Sequence, residues 1–178
     1  MVSLGQRHST LDTSVNGYLV NTGSKLVRID AGAAGLVGPT LGNLLTNLKA
    51  AGYQPEQVDE VYITHMHADH VGGLMNGDKR AFPNATVRAD QHDADFWLSL
   101  ANLDKAPADA TGFFQGAVTI QFDTASKRAA LQRKRAYADA AKQGNLVGSA
   151  HVSFPGLGHL RAQGKGYEWL PVNYSGLK

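Results

Sequence analysis

The residues with the clearest capacity for chemistry lie at positions 64–73, which read Thr-His-Met-His-Ala-Asp-His-Val-Gly-Gly. His65 and His67 are two residues apart, and side chains two apart in extended backbone point to the same side, so both can reach one ion. Asp69 and His70 follow where the chain turns into its next element, and we expect them to face a second ion nearby. The spacing therefore predicts a site for two divalent metal ions.

Imidazole and carboxylate ligands suit zinc, although cobalt, manganese or iron also accept them. Two such ions roughly 3.5 to 4 Å apart can hold a hydroxide and stabilise charge on a carbonyl or phosphoryl oxygen. The chain has no cysteine, which excludes thiolate ligands, disulfides and cysteine nucleophiles. We expect Gly72 and Gly73 to let the backbone turn close to the metals. The alternative interpretation is a loop of solvated histidines.

The elements that must position this segment are predicted from local patterns. Two β-rich runs at 17–22 and 25–29 flank Gly23-Ser24, which predicts a hairpin with a two-residue turn. A helix is predicted from near Pro39 to Gly52, with apolar residues at i, i+3, i+4 and i+7: Leu41, Leu44, Leu45 and Leu48. Residues 58–64 form a predicted strand that enters the histidine segment, and strand, helix, strand indicates an α/β layer.

Beyond the histidines the pattern continues to alternate between strands and helices. The predicted elements are a strand at 85–89, a helix at 93–100, a loop at 101–116, a strand at 118–122, a helix from about Ser126 to Lys142, and short strands near Ala150 and at 167–172. The tail from Leu146 onward contains too many glycines to predict long elements.

The composition favours one globular domain spanning residues 1–178, since 43% of the 178 residues are hydrophobic and 18% are charged. A net charge of +2 is too small to indicate a nucleic acid or an anionic membrane as partner. The cations at 127–128 and 133–135 are interpreted as a solvated helix face, with nucleic-acid binding as the weaker alternative. The first ten residues lack a secretory pattern, and no stretch approaches the roughly 20 apolar residues of a membrane helix. A soluble chain is expected, and its localisation is left open.

Positions 65–70 resemble the His-x-His-x-Asp-His signature of the metallo-β-lactamase superfamily. Further stretches at 12–23, 38–42, 47–59 and 151–159 are similar to the methyl parathion hydrolase branch. This resemblance implies an α/β fold of the metallo-β-lactamase type, a truncated αββα sandwich with a dinuclear site at one edge. It also implies hydrolysis of phosphotriesters, lactones or aryl esters, with a small-molecule substrate and neither a nucleic acid nor a membrane as partner.

The resemblance also assigns individual residues. His65 and His67 match ligands of the first metal, and Asp69, His70 and His151 match ligands of the second, with Asp69 also the expected catalytic residue. Asp30 matches an early aspartate that supports the metal loop without binding metal. Trp97 and Phe114 match aromatic residues that line the substrate pocket, with ordinary core filling as the alternative. His159 is interpreted as structural, with a substrate-side proton donor as the alternative.

Two ligands of the family pattern have no counterpart in this sequence. They are a further histidine in a Gly-His-Thr type motif and a bridging aspartate, and the only histidine between His70 and His151 is His92, interpreted as a surface residue. An internal deletion near 115–118, natural or engineered, would explain both gaps, and so would a sequence that omits a segment of a longer polypeptide. A swapped dimer, the third explanation, would restore folding but not the missing ligands. We therefore expect zinc or another divalent metal at one or two ions per chain, with at most one held firmly. Missing strands would expose sheet edges and favour a homodimer. The alternative function is a truncated metal-binding, dimerising domain with little or no catalytic activity.

Overall fold

The computed structural model describes residues 14–98 and 126–172, with the backbone alone for 126–129. The chain divides into two compact units, which are Val15–Gly112, called the N-terminal unit, and Met1–Ser14 with Phe113–Lys178, called the C-terminal unit. The predicted single-domain organisation stays a prediction. The predicted deletion near 115–118, the predicted strand at 118–122 and Phe114 lie outside the described residues.

A four-stranded sheet organises the N-terminal unit. The elements described in this unit are, in chain order, β1 (Tyr18–Asn21), β2 (Leu26–Ile29), α1 (Leu44–Ala50), β3 (Glu60–Tyr62), α2 (Ala68–Val71), β4 (Met75–Asn76), β5 (Lys79–Arg80), β6 (Thr86–Arg88) and α3 (Gln91–Trp97). The sheet has the order β1-β2-β3-β6, with β1 antiparallel to β2 and with β2, β3 and β6 parallel. Parallel pairing brings the carboxyl ends of β2 and β3 to the same edge, and this edge carries the histidine segment.

The first hairpin has the predicted two-residue turn. The backbone N–H of Thr22 donates to the carbonyl of Lys25 at 2.9 Å. Gly23 occupies the first central position with a φ of 86°, which only glycine adopts without strain. The turn therefore sets the register in which Asn21 lies opposite Leu26.

Helix α1 begins at Leu44, five residues later than its predicted start near Pro39. Gly38 and Gly42 have φ values of 138° and 103°, and such backbone cannot continue into a right-handed helix. Of the predicted apolar face, Leu48 is buried, and Leu44 and Leu45 pack against the core. The rest of the core is supplied mainly by the sheet and the segments beside it: Leu26, Ala31, Val58, Val61, Ile63, Ala81 and Phe82.

The described part of the C-terminal unit consists of α4 (Ser126–Gln143) and an antiparallel sheet of β7 (Val147–Gly148), β8 (Leu157–Gln163) and β9 (Gly166–Pro171). Strand β8 was not predicted, because its glycine content favoured a loop. A Cβ at Gly158 would lie 2.6 Å from the Trp169 side chain, so this glycine makes room for a neighbour across the sheet. Side chains 133–135 of α4 are exposed, as predicted.

Strands at 86–88 and 166–171 and helix α4 agree with their predicted positions. Strand β7 lies two residues before the strand predicted near Ala150. In the described residues, no helix is both long enough and apolar enough to cross a membrane.

Candidate metal centre

The histidine segment leaves the carboxyl end of β3 as a bent loop. His65 and His67 therefore lie in a loop, and not in the extended strand end that was predicted, with His67 directly before α2. The loop begins beside the end of β2, where the backbone N–H of Asp30 donates to the carbonyl of Tyr62 at 2.8 Å. The backbone N–H of Ala31 donates to the carbonyl of His70 at 2.7 Å. Backbone pairing thus fixes both ends of the segment against β2.

Three imidazoles and one carboxylate converge in this loop. The ring centroids of His65 and His67 are 4.4 Å apart, and those of His65 and His70 are 3.9 Å apart. His70 Nε2 lies 3.2 Å from Asp69 Oδ2, and both side chains are almost completely buried. The structure therefore brings four of the candidate ligands together, while their role as ligands stays a prediction.

The donor set fits a divalent metal. Two ligands in a tetrahedral zinc site, each about 2.0 to 2.1 Å from the ion, are about 3.3 Å apart. The separation of 3.2 Å between His70 Nε2 and Asp69 Oδ2 is close to that spacing. Neutral imidazole and carboxylate are both ordinary zinc ligands, so this pair could hold one ion once His70 gives up the proton on Nε2.

Asp30 anchors the metal loop from the neighbouring strand. One carboxylate oxygen, Oδ1, accepts the backbone N–H of Thr64 at 2.8 Å, and the other, Oδ2, accepts His70 Nδ1–H at 2.8 Å. Asp30 has a φ of 56°, an uncommon conformation for a residue with a Cβ. This is the supporting contact that the resemblance implies for Asp30.

The charges of the site follow from its burial and hydrogen bonds. Burial opposes ionisation of Asp30, but hydrogen bonds from His70 and Thr64 outweigh it and lower the pKa of Asp30. Burial also disfavours charge on His70, yet hydrogen bonds to Asp30 and Asp69 raise its pKa to about 9. The pKa of His65 falls to about 4 because of burial and then because of the charge on His70. Hydrogen bonds to two carboxylates thus favour a positive charge on His70, whereas burial disfavours one on His65.

Gly72 and Gly73 allow a close approach of the backbone to the loop that follows β2, and their predicted closeness to the metals stays a prediction. A Cβ at Gly73 would lie 2.0 Å from the carbonyl oxygen of Ala31, and a Cβ at Gly72 would lie 2.7 Å from that of Ala33. The backbone N–H of Gly73 also donates to the carbonyl of Gly32 at 2.9 Å. The two glycines therefore let the chain after α2 pack directly on the loop that follows β2.

Helix α3 contacts the metal loop through two residues. Asp93 Oδ2 accepts the backbone N–H of Met66 at 3.2 Å. The Trp97 ring lies edge-on to the His67 ring, with 6.1 Å between centroids, and is half-buried. Sequence reasoning missed Asp93, because nothing in the local pattern connects it to a loop 27 residues earlier. Trp97 is therefore next to a candidate ligand, whereas Phe114 lies outside the described residues.

His92 lies in the first turn of α3. Asp90 accepts the backbone N–H of His92 at 2.8 Å and begins the helix two residues before its predicted start. The His92 side chain is 96% exposed, as expected of a surface residue.

The two late histidines belong to the C-terminal unit. His151 is exposed, and its Nδ1 lies 3.2 Å from the carbonyl oxygen of Ser14. His159 Nδ1 lies 3.1 Å from the carbonyl oxygens of both Gly144 and Asn145, where it ties the end of α4 to β8. These contacts support a structural role for His159.

Comparison with known proteins shows the family of this chain. The family model of the metallo-beta-lactamase superfamily matches residues 11–137, which is more than half of the chain. The chain belongs to this superfamily. Its mixed α/β fold is the one predicted from the sequence.

Two solved structures resemble this chain over most of its length. A hydrolase of the beta lactamase superfamily, AbOPH, has a TM-score of 0.77 and 30% identity, and the match covers 92% of this chain and 81% of AbOPH. AidC, described as a dizinc quorum-quenching lactonase in complex with a product, has a TM-score of 0.74 over the same shares of the two chains. Its identity of 20% makes the likeness one of fold alone.

The curated relatives match a smaller part of this chain than the two solved structures do. The beta-lactamase-like protein 2 homolog of Caenorhabditis elegans is 30% identical over 84 residues, and the exodeoxyribonuclease WalJ of Streptococcus pneumoniae is 33% identical over 76. These matches cover 44% and 42% of this chain but only 27% and 26% of the relatives. The chain thus spans about a quarter of the length of these relatives, and their names do not decide its activity.

Proposed function

We propose that this chain is a divalent-metal-dependent hydrolase of small-molecule phosphotriesters, lactones or aryl esters, of the methyl parathion hydrolase-like branch. The observation that carries the proposal is the cluster of His65, His67, Asp69 and His70 at the carboxyl ends of β2 and β3. AbOPH, which is a hydrolase, and AidC, which is a dizinc lactonase, provide support from two relatives of the same fold.

The proposed ligand assignment follows the resemblance. His65 and His67 hold a first metal, and Asp69, His70 and His151 hold a second, with zinc as the expected ion at one or two per chain. A bound divalent ion supplies Lewis acidity and lowers the pKa of water.

Other side chains of this chain are proposed to orient the ligands and to line the substrate site. Asp30 holds the His70 ring by its Nδ1–H, which leaves Nε2 directed at Asp69. Trp97, edge-on to His67, supplies an apolar wall for the organic part of the substrate. Phe114 is proposed to share that role.

A second candidate function is a metal-binding, dimerising domain with little or no catalytic activity. The sequence favours it at one point, since it lacks the Gly-His-Thr motif and the bridging aspartate of the family. In that case one ion per chain is held firmly, because catalytic zinc usually has three protein ligands. We propose a homodimer in either case.

Asp69→Ala tests the hydrolase proposal. We expect the variant to lose bound metal and turnover together, because it removes a carboxylate that is buried beside His70. The measurements are zinc per chain after removal of loose ions, and hydrolysis of an activated aryl ester and of a phosphotriester in added zinc. Asp78→Ala removes an exposed carboxylate and is the matched control.

The outcomes separate the two candidate functions. If Asp69→Ala keeps both metal and turnover, the ligand assignment is wrong. If the unmodified chain binds zinc but hydrolyses both substrates no faster than zinc alone, the metal-binding domain is favoured. About two ions per chain would show that the sequence contains ligands beyond those assigned here.

A further inference from the structure

Thr64 carries a side-chain hydroxyl at the centre of the candidate metal loop, and neither the resemblance nor the ligand assignment gives it a role. Its Oγ1 lies 2.9 Å from Asp30 Oδ2 and 3.1 Å from Asp30 Oδ1. The same oxygen lies 3.1 Å from His65 Nδ1. It also lies 3.5 Å from His70 Nδ1. The hydroxyl therefore links the Asp30 carboxylate to the candidate ligand His65.

The direction of these hydrogen bonds follows from the chemistry of the groups. An ionised carboxylate only accepts, so the Thr64 hydroxyl donates its single proton to Asp30. The hydroxyl oxygen then accepts, and His65 Nδ1 must be the donor. His65 consequently carries its proton on Nδ1, and Nε2 keeps the lone pair that can bind a metal.

His70 is held directly by Asp30. Its Nδ1–H donates to Asp30 Oδ2 at 2.8 Å, and Nε2 faces Asp69. One carboxylate thus orients two imidazoles, His70 by a direct bond and His65 through the hydroxyl of Thr64. A partner on the other ring nitrogen fixes the tautomer and the orientation of metal-binding histidines in general.

The hydroxyl is not needed to hold the loop in place. The backbone N–H of Thr64 already donates to Asp30 Oδ1 at 2.8 Å, and any residue at this position could make that bond. What threonine adds is the connection to His65.

We propose that Thr64 is a positioning residue, whose hydroxyl transmits the orienting effect of Asp30 to His65 and presents His65 Nε2 to a divalent metal. The metal part of this inference rests on the proposed function, in which His65 is a ligand. The hydrogen-bond chain from Asp30 through Thr64 to His65 does not, and it exists in the metal-free protein.

Three variants of the full chain test the proposal. Thr64→Val removes the hydroxyl and keeps the branched shape, and Thr64→Ser keeps the hydroxyl and removes the methyl group. Thr86→Val is the matched control, an exposed threonine on β6 at the amino end of the same sheet. Thermal unfolding in chelator establishes that each variant is folded, and Thr64→Ala replaces Thr64→Val if valine prevents folding.

Two readouts are needed, and neither is activity. The first is zinc affinity by competition with a chelating indicator, where we expect Thr64→Val to bind about 10- to 100-fold more weakly. Thr64→Ser and Thr86→Val should stay close to the unmodified chain. The second is the imidazole ¹⁵N NMR spectrum of the metal-free protein, in which Thr64→Val should lose the fixed Nδ1–H tautomer of His65. His65→Gln assigns that signal.

Each outcome decides one of the two proposals. Unchanged zinc affinity and an unchanged His65 tautomer in Thr64→Val would overturn the role of Thr64. A loss in Thr64→Ser equal to that in Thr64→Val would also overturn it, because the methyl group and not the hydroxyl would then matter. If the unmodified chain binds no zinc, the proposed function fails, and the NMR readout alone decides whether Thr64 orients His65.

Discussion

The two ends of strand β3 carry similar constellations in different surroundings. At the amino end, Glu60 binds Lys25 and receives Arg88 Nε at 3.1 Å. At the carboxyl end, Asp30 binds Thr64 and receives His70 Nδ1 at 2.8 Å. In both places one carboxylate joins groups that are distant in sequence.

Exposure separates the two constellations. The side chains of Lys25 and Arg88 are 54% and 50% exposed, although that of Glu60 is only 8% exposed. Asp30 and His70 are both buried, with side chains 6% and 3% exposed. Exposed cations recover hydration when their partner is lost, so surface ion pairs contribute little to stability. Buried groups have no such replacement, and removing one partner leaves an uncompensated charge or donor. We therefore expect the loss of charge at Glu60, whose partner cations can be rehydrated, to cost less stability than the loss of Asp30, whose partners are buried.

Asp30→Ala should have the largest effect on stability. It leaves the His70 ring and the Thr64 backbone N–H without their buried acceptor, and breaking a buried pair in this way costs about 3 to 5 kcal/mol. Denaturant unfolding of the metal-free chain measures the change in the free energy of unfolding. A loss no larger than that of Glu60→Gln would remove the distinction between the two ends of β3.

Gly73→Ala should have the next largest effect. The new Cβ would lie 2.0 Å from the carbonyl oxygen of Ala31, and overpacking of this kind costs roughly 1 to 3 kcal/mol. Gly35→Ala is the control, since a Cβ there has no atom within 4 Å and the backbone has no left-handed φ. Equal stability of the two variants would show that the chain after α2 does not pack tightly on the loop after β2.

Glu60→Gln should have the smallest effect on stability and a distinct pH dependence. Hydrogen bonds from Arg88 and then from Lys25 lower the pKa of Glu60 to about 2. Because the pKa is lowered on folding, the stabilisation is complete above the ordinary carboxyl value and is lost as the pH falls towards 2. The difference in stability between the unmodified chain and Glu60→Gln should therefore shrink below about pH 4.5.

Unfolding of both proteins between pH 6 and pH 2.5 measures that difference. A difference that stays constant or grows on acidification would contradict the lowered pKa of Glu60. Added salt at pH 6 should reduce the difference as well, since the partner cations are half exposed.

Local patterns predicted most elements of the fold. The hairpin of β1 and β2, the central strand β3 and the long helix α4 each follow from turn residues or from periodicity within a few positions. The predicted start of α1 was wrong, because the leucine spacing does not reveal the φ values of Gly38 and Gly42. Strand β8 was not predicted, because the glycines in this region favoured a loop. The reason for a glycine at 158 is the close approach of Trp169 on the neighbouring strand, which only the folded chain shows.

The sequence by itself determined the chemistry available to this protein, because the candidate ligands at 65–70 are contiguous and their donor atoms are fixed by residue type. The tertiary structure alone decided how those ligands are oriented. Asp30 is 34 residues from Thr64 and 40 from His70, and only the parallel pairing of β2 with β3 brings their side chains together. A contact made across two strand ends leaves no local periodicity, so the support of the site emerges only in the folded chain.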